Sequence, residues 1–384
     1  MDTASFNQFV RDIYRSHAFI PLHEPRFLGN EKEYVNHTID STFVSSVGAF
    51  VNDFEEKMQS FANCQRAIAT VNGTAALHIA LLLAGVKQDD LVITQALTFV
   101  ATCNALSYIG AEPIFIDVSR KTLGLCPKAL QHYLQEQAFI DDQGVCRHRV
   151  SLKRISAVVP MHTFGHPVEL DELQQVVKKW HLVLVEDSAE SLGSYYKNQH
   201  TGTFGLVSAL SFNGNKVITT GGGGMVLCQD EQLGTRAKHL TTTAKKPHPY
   251  EFFHDENGFN YRMPNLNAAL GCAQMENLGI FLQKKRQLAT QYQDFFADSE
   301  VTFVSEPEHC RSNYWLNAII CQDKAHRDRI LEKTNQAQVM TRPIWTLMTK
   351  LPMYQQQGLH GDLSNSHWLE QRVVNIPSSV PLES

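Results

Sequence analysis

Val183-Leu184-Val185-Glu186-Asp187 is an apolar, largely β-branched run that stops abruptly on two carboxylates. A strand with no polar alternation is buried on both faces, as strands are in a parallel sheet covered by helices. Similar runs lie at 91–94, 113–118, 155–160, 206–212 and 225–228, and helical patterns fill 98–109, 127–137 and 169–180 between them. This alternation predicts an α/β protein with a mostly parallel central sheet. Ligands of such sheets bind beyond the carboxyl ends of the strands, where Asp187 stands.

Upstream, Asn72-Gly73-Thr74 is a tight turn opening an Ala- and Leu-rich helix over 75–84. The first N–H groups of that helix lack internal acceptors and suit an anion. Downstream, Ser211-Phe212-Asn213-Gly214-Asn215-Lys216 leads into Thr219-Thr220 and four glycines, 221 to 224. A lysine held by such a turn can form a Schiff base with an aldehyde, and the glycines favour close backbone approach. Taken singly, each feature has a plainer reading: Asp187 as a helix cap, Lys216 as an exposed loop lysine, Phe99 as a core aromatic. Together, the anion site at Gly73 and Thr74, the carboxylate of Asp187 and the amine of Lys216 match pyridoxal 5'-phosphate. Its phosphate needs donors, its ring nitrogen a carboxylate and its aldehyde a lysine. Phe99 is then a candidate for stacking on the ring.

The 384 residues are 43% hydrophobic, with 34 Lys and Arg against 39 Asp and Glu, which argues for a globular chain and against general nucleic-acid binding. Eight scattered cysteines without Cys-x-x-Cys spacing fit reduced thiols and a cytoplasmic location. Charged residues interrupt the first 20 positions and no apolar run approaches 18 residues, so neither export nor membrane insertion is expected. His162 and His166 sit in a Gly- and Pro-containing turn without a third ligand, so no metal is expected. The chain divides into an N-terminal arm (1–20), a large cofactor-binding domain (21–250), and an interface loop with a small C-terminal α+β domain (251–384). In the last segment helices are expected at 265–277, 280–296 and 324–335, with strands near 314–320 and 338–342.

Several segments carry a resemblance: Phe27-Leu28-Gly29-Asn30, Val44-Ser45-Ser46-Val47-Gly48, residues 70–77 and 96–101, Met161-His162-Thr163-Phe164-Gly165-His166-Pro167, and Thr341-Arg342-Pro343-Ile344-Trp345. Over nearly its whole length the chain resembles the DegT/DnrJ/EryC1/StrS sugar aminotransferases. Its likeness is greatest to the branch that aminates nucleotide-linked 4-keto-6-deoxy-N-acetylhexosamines for bacillosamine or legionaminic acid synthesis. The resemblance implies the fold type I architecture of pyridoxal phosphate enzymes. It implies that Lys216 binds the cofactor and shuttles the proton, that Asp187 pairs with the ring nitrogen, and that Phe99 and Ala189 flank the ring. Gly73, Thr74 and Ser211 would hold the phosphate. Glu190 stands where relatives often have Gln or His beside the cofactor 3'-oxygen. Asn260, in Gly258-Phe259-Asn260-Tyr261-Arg262-Met263, would reach the phosphate of a neighbouring subunit, which implies a homodimer with shared sites.

For substrates the resemblance implies L-glutamate as donor and UDP-2-acetamido-2,6-dideoxy-D-xylo-hexos-4-ulose as acceptor. His162, Arg311, Asn313, Tyr314, Arg342 and Trp345 are the substrate-binding candidates, since guanidinium suits phosphate and aromatics suit a sugar face. Each of them also has a packing role open to it. Three alternatives stay open: an aminotransferase for a 3-keto or dTDP-linked sugar, a dehydratase, and a silent carbohydrate-binding or regulatory homologue. Dehydratases of this family replace the lysine with histidine, and the chain has Lys216. A Rossmann dehydrogenase is disfavoured, because Gly221 to Gly224 lack Gly-x-Gly-x-x-Gly spacing.

Overall fold

All six apolar runs become strands of one sheet, and a seventh strand joins them at its edge. The computed structural model describes residues 1–355 and 358–382. The sheet strands are β1 (Arg66–Thr70), β2 (Leu91–Gln95), β3 (Glu112–Ile116), β4 (Ile155–Val159), β5 (Val183–Asp187), β6 (Val207–Ser211) and β7 (Gly224–Cys228). Their order is β1-β7-β6-β5-β4-β2-β3, and only β7 runs against the rest. The reversal brings Gly224, the first residue of β7, beside the last residues of its neighbours, Thr70 and Ser211. A Cβ on Gly224 would lie 2.3 Å from the Asn72 carbonyl oxygen, so only glycine lets the turn at 72–73 close over that strand.

The helices are α1 (Thr3–Tyr14), α2 (Glu31–Asp40), α3 (Ala49–Ala62), α4 (Gly73–Leu83), α5 (Val100–Ile109), α6 (Pro127–Gln137), α7 (Leu170–Lys179), α8 (Glu231–Thr241), α9 (Asn265–Phe296), α10 (Lys324–Gln336) and α11 (Ser364–Glu370). One face of the sheet packs Ile68, Val92, Val185 and Val226 against Ala76, Ile79 and Ala80 of α4. The other packs Ile93, Ile114, Val158 and Leu184 against α6 and α7 through Leu130, Leu134 and Leu173. A smaller antiparallel sheet follows: β8 (Thr302–Phe303), β9 (Asn317–Ile320), β10 (Arg342–Pro343) and β11 (Val373–Ile376), in the order β8-β9-β11-β10. Phe6 and Val10 of α1 are buried in its core beside Tyr292, Phe296 and Ile330.

Several local expectations change. The helices expected at 265–277 and 280–296 are one continuous α9. A glycine inside a helix costs only about 1 kcal/mol, and the burial of Ala268 and Cys272 at one end and Tyr292 and Phe296 at the other outweighs Gly279. The strand expected from 314 starts at Asn317, because Tyr314 takes a left-handed φ of 46°. Strand β10 is only Arg342–Pro343. Strand β1 and helices α3 and α8 were not anticipated. Arg-Ala-Ile-Ala-Thr has no continuous run of large apolar residues, and its burial comes from β7 and α3 rather than from its own pattern.

Candidate active site

Three chain segments end or begin at the same edge of the large sheet. Asp187 closes β5, Ser211 closes β6, and α4 starts at Gly73. The Asn72 side chain caps α4 by accepting the Ala75 N–H at 2.8 Å, so Gly73 and Thr74 present first-turn N–H groups to whatever lies in front. A Cβ on Gly73 would come within 2.8 Å of the Ser211 Cβ, so glycine allows the helix start and the Ser211 hydroxyl to share one cradle. These residues line a cavity of about 700 Å³, together with Phe99, Ala189, Glu190, Lys216, Trp315, Arg342 and Trp345.

The turn after β6 places Lys216. Its N–H bonds the Asn213 carbonyl at 3.0 Å, and the Trp315 indole N–H bonds the Asn215 carbonyl at 2.6 Å. The Lys216 Nζ lies 3.9 Å from the centre of the Trp315 ring and 3.7 Å from Glu190 Oε1. Burial lowers the pKa of this ammonium, and the charges of Glu190 and Asp187 oppose that shift. A nearer-neutral amine is the better nucleophile and base.

Two carboxylates face it. Asp187 is 5% exposed; its Oδ2 accepts the Thr102 hydroxyl at 2.7 Å and its Oδ1 the Ala189 N–H at 3.2 Å. Burial raises its pKa, against the opposing pull of Thr102, Ala189 and Lys216. Glu190 accepts the Phe164 N–H at 2.9 Å, and burial pushes its carboxyl up from 4.5 to about 7. Such groups lose stability as pH rises through the folded pKa, because the unfolded chain ionises at lower pH. Glu190→Gln removes that titration. In cofactor-free protein the wild type should therefore lose on the order of 2 kcal/mol relative to Glu190→Gln between pH 5 and pH 8, read as unfolding temperature against pH. Parallel curves for the two proteins would refute the buried titration.

The donor set fits pyridoxal 5'-phosphate. First-turn amides and a hydroxyl suit its phosphate, a costly buried carboxylate suits a ring cation, and Lys216 suits its aldehyde. Phe99 is 48% exposed on the cavity wall, and its ring lies 6.3 Å from that of Trp345, leaving a face free for a planar group.

Four of the expected substrate residues lie elsewhere. His162 is wholly buried, with Nε2 3.0 Å from Glu186 Oε2 and Nδ1 accepting the Val168 N–H, so both ring nitrogens are engaged under the sheet edge. Arg311 is exposed on a two-residue strand paired with Tyr195. The Tyr314 hydroxyl accepts the Glu306 N–H, and its ring packs against His166. Asn313 donates to the Glu190 and Leu192 carbonyls, both at 2.9 Å, and accepts the Trp315 N–H, so it braces the wall from behind. The positive φ at Tyr314 explains the exchange: it turns Tyr314 away and sends Trp315, which the sequence had not singled out, to the cavity. Leu22 and Asn375 also line the cavity without a local sequence signal, and Asn213 and Asn215 join it from the turn that carries Lys216. Asn260 is exposed, its Oδ1 accepting from Arg262, and is not part of this chain's own cavity wall.

The DegT/DnrJ/EryC1/StrS aminotransferase family matches residues 27–384. The GDP-perosamine synthase of Escherichia coli O157:H7 is 34% identical over 360 residues, covering 94% of this chain and 93% of its own. Among solved structures, Helicobacter pylori PseC, an aminotransferase, aligns with a TM-score of 0.84 at 24% identity over 94% of this chain and 93% of its own. The Streptococcus pneumoniae sugar aminotransferase Spr1654 in its PLP form aligns with a TM-score of 0.84 at 21% identity over 95% of each chain.

Proposed function

The chain belongs to the DegT/DnrJ/EryC1/StrS aminotransferase family, and from that membership we propose that it transfers an amino group from L-glutamate to C4 of a UDP-linked 4-keto-6-deoxy-N-acetylhexosamine. It is an aminotransferase of the sugar-modifying, pyridoxal phosphate-dependent class. The proposed product is UDP-4-amino-4,6-dideoxy-N-acetylglucosamine, a precursor in bacillosamine or legionaminic acid synthesis. The observation that carries the reading is the meeting of the Lys216 amine, the Asp187 carboxylate and the first turn of α4 around one cavity.

When bound, pyridoxal phosphate supplies an aldehyde carbon that takes up and releases the amino group and a ring that withdraws electrons from it. With the cofactor bound, Lys216 Nζ would take the proton from the α-carbon of the donor and return it to the carbon that carried the aldehyde, on the other side of the shared nitrogen, and would run the same transfer in reverse for the acceptor. Asp187, held by Thr102 and Ala189, would pair with the ring nitrogen and keep it protonated. The Trp315 face accommodates the Lys216 ammonium and covers it from water on that side. Glu190, within ion-pair distance of Lys216, holds a proton near neutrality.

Shared sites in a homodimer are part of this reading. Phe43, Val47, Phe252 and Phe253 are 57%, 68%, 80% and 61% exposed, apolar side chains that a second copy would cover, and Asn260 would then serve the partner's phosphate site. Among the described residues no helix is long and apolar enough to cross a membrane. The 34% identity to a GDP-perosamine synthase favours a GDP-linked acceptor as the second reading. Incubating the enzyme with glutamate and a panel of UDP-, dTDP- and GDP-linked 3-keto and 4-keto sugars separates the readings. Mass spectrometry and NMR should locate the new C–N bond at C4 of the UDP-linked sugar. Amination of the GDP- or dTDP-linked sugar alone, or at C3, would replace this assignment.

A further inference from the structure

Lys285, in the middle of α9, is wholly buried and is not part of the cavity wall. Its Nζ lies 2.9 Å from His23 Nε2, 3.2 Å from the Trp315 carbonyl oxygen and 2.7 Å from the Ser378 carbonyl oxygen. An ammonium has three N–H donors and no acceptor, so these three partners fill it. Among the described residues no carboxylate pairs with it, and burial lowers its pKa to about 7. Holding an ammonium there is unfavourable, so stability alone does not call for a lysine.

The three bonds join segments that the strands leave loose. Trp315 stands two residues before β9, and no strand ladder holds its main chain. Side chains hold it instead: Asn313 Oδ1 accepts its N–H at 2.8 Å, and Lys285 donates to its carbonyl. The same ammonium donates to the carbonyl of Ser378, whose N–H bonds the Leu22 carbonyl at 2.7 Å. Leu22 and Trp315 both line the cavity.

We propose that Lys285 is a positioning residue for Lys216 that acts through Trp315, fixing the turn that lays the indole over the Lys216 amine. The inference rests on the aminotransferase reading, which gives that amine its task. Without the Lys285 ammonium the Trp315 carbonyl loses its donor, and the bonds to Asn313 and Asn215 alone hold the residue.

The first arm of the test uses cofactor-free protein labelled with 5-fluorotryptophan, as wild type and as Lys285→Met, which keeps the side-chain volume and removes the donors. The chain has four tryptophans, at 180, 315, 345 and 368, and Trp315→Leu assigns the Trp315 signal by fluorine NMR. In Lys285→Met that signal should shift or broaden while those of Trp180 and Trp368 stay in place. The second arm follows the single-turnover reaction of cofactor-loaded enzyme with glutamate. Lys285→Met should lower the saturating rate roughly tenfold or more and move the half-saturating glutamate concentration by less than about threefold. In a Trp315→Leu background the same substitution should cost less than about twofold, because the group it acts through is gone. Lys285→Gln serves where Lys285→Met unfolds, since it keeps a buried amide but ends one atom short of the Trp315 carbonyl. An unmoved Trp315 signal, a wild-type rate, or an equal loss in both Trp315 backgrounds overturns the proposal and leaves Lys285 as a clamp of the fold, whatever the unfolding temperature does. The fluorine arm needs neither cofactor nor sugar, so its failure is distinct from failure of the acceptor panel.

Discussion

Lys216→Ala protein should keep its fold and lose transamination by a factor of roughly 10³ or more, since both the covalent anchor and the proton shuttle disappear with one amine. The side chain is 13% exposed at the cavity floor, so truncation widens an existing space rather than opening a new one in the core. It also removes a buried ammonium whose desolvation is unfavourable, so thermal stability should stay level or rise slightly. The Glu190 carboxyl, which the Lys216 charge holds down, should titrate still higher in the variant. Three measurements check this: single-turnover rates with glutamate, unfolding temperature, and borohydride trapping followed by peptide mass spectrometry. Trapping should mark residue 216 in wild type and nothing in the variant. Turnover within tenfold of wild type, or trapping at another lysine, would falsify the assignment.

Asp187→Asn is the second large effect, with about a hundredfold to thousandfold loss in kcat and a weaker hold on the cofactor. Asparagine keeps the volume and an oxygen for the Ala189 N–H, and its amide can donate to the Thr102 hydroxyl oxygen, so the local hydrogen bonds survive. Only the negative charge is lost, which on the proposed reading would face the ring nitrogen. The folded pKa of Asp187 is raised, so in cofactor-free protein its ionisation costs stability as pH rises above the ordinary carboxylate range. The variant escapes that cost and should unfold no earlier than wild type at pH 7. Wild-type kcat together with an unchanged cofactor spectrum would remove Asp187 from the mechanism.

The two variants separate charge from scaffold, and the scaffold is where sequence and structure part. The alternation of apolar runs with helical periods carried the sheet, because strands buried on both faces must be apolar throughout. Asp187 and Ser211 end strands, Gly73 and Thr74 open α4, and Lys216 sits in the turn that follows β6, so each stands where an apolar run breaks off. Residues 311–314 misled, since extended alternation takes no account of the left-handed turn at Tyr314 that exchanges the roles of Tyr314 and Trp315. His162 misled because its neighbour in sequence is a turn, while its partner Glu186 lies 24 residues away on the next strand.

Local order along the chain therefore determined six of the seven strands of the large sheet and the helices between them, for these follow from hydrophobic period and backbone chemistry within a few residues. The tertiary structure alone decided that Trp315 covers Lys216, that Asn313 braces the wall instead of lining it, and that Asn375 faces the cavity beside Arg342. Each of these contacts joins residues 33 to 123 positions apart through strand register and a single positive φ, and no short window of sequence contains either partner's surroundings.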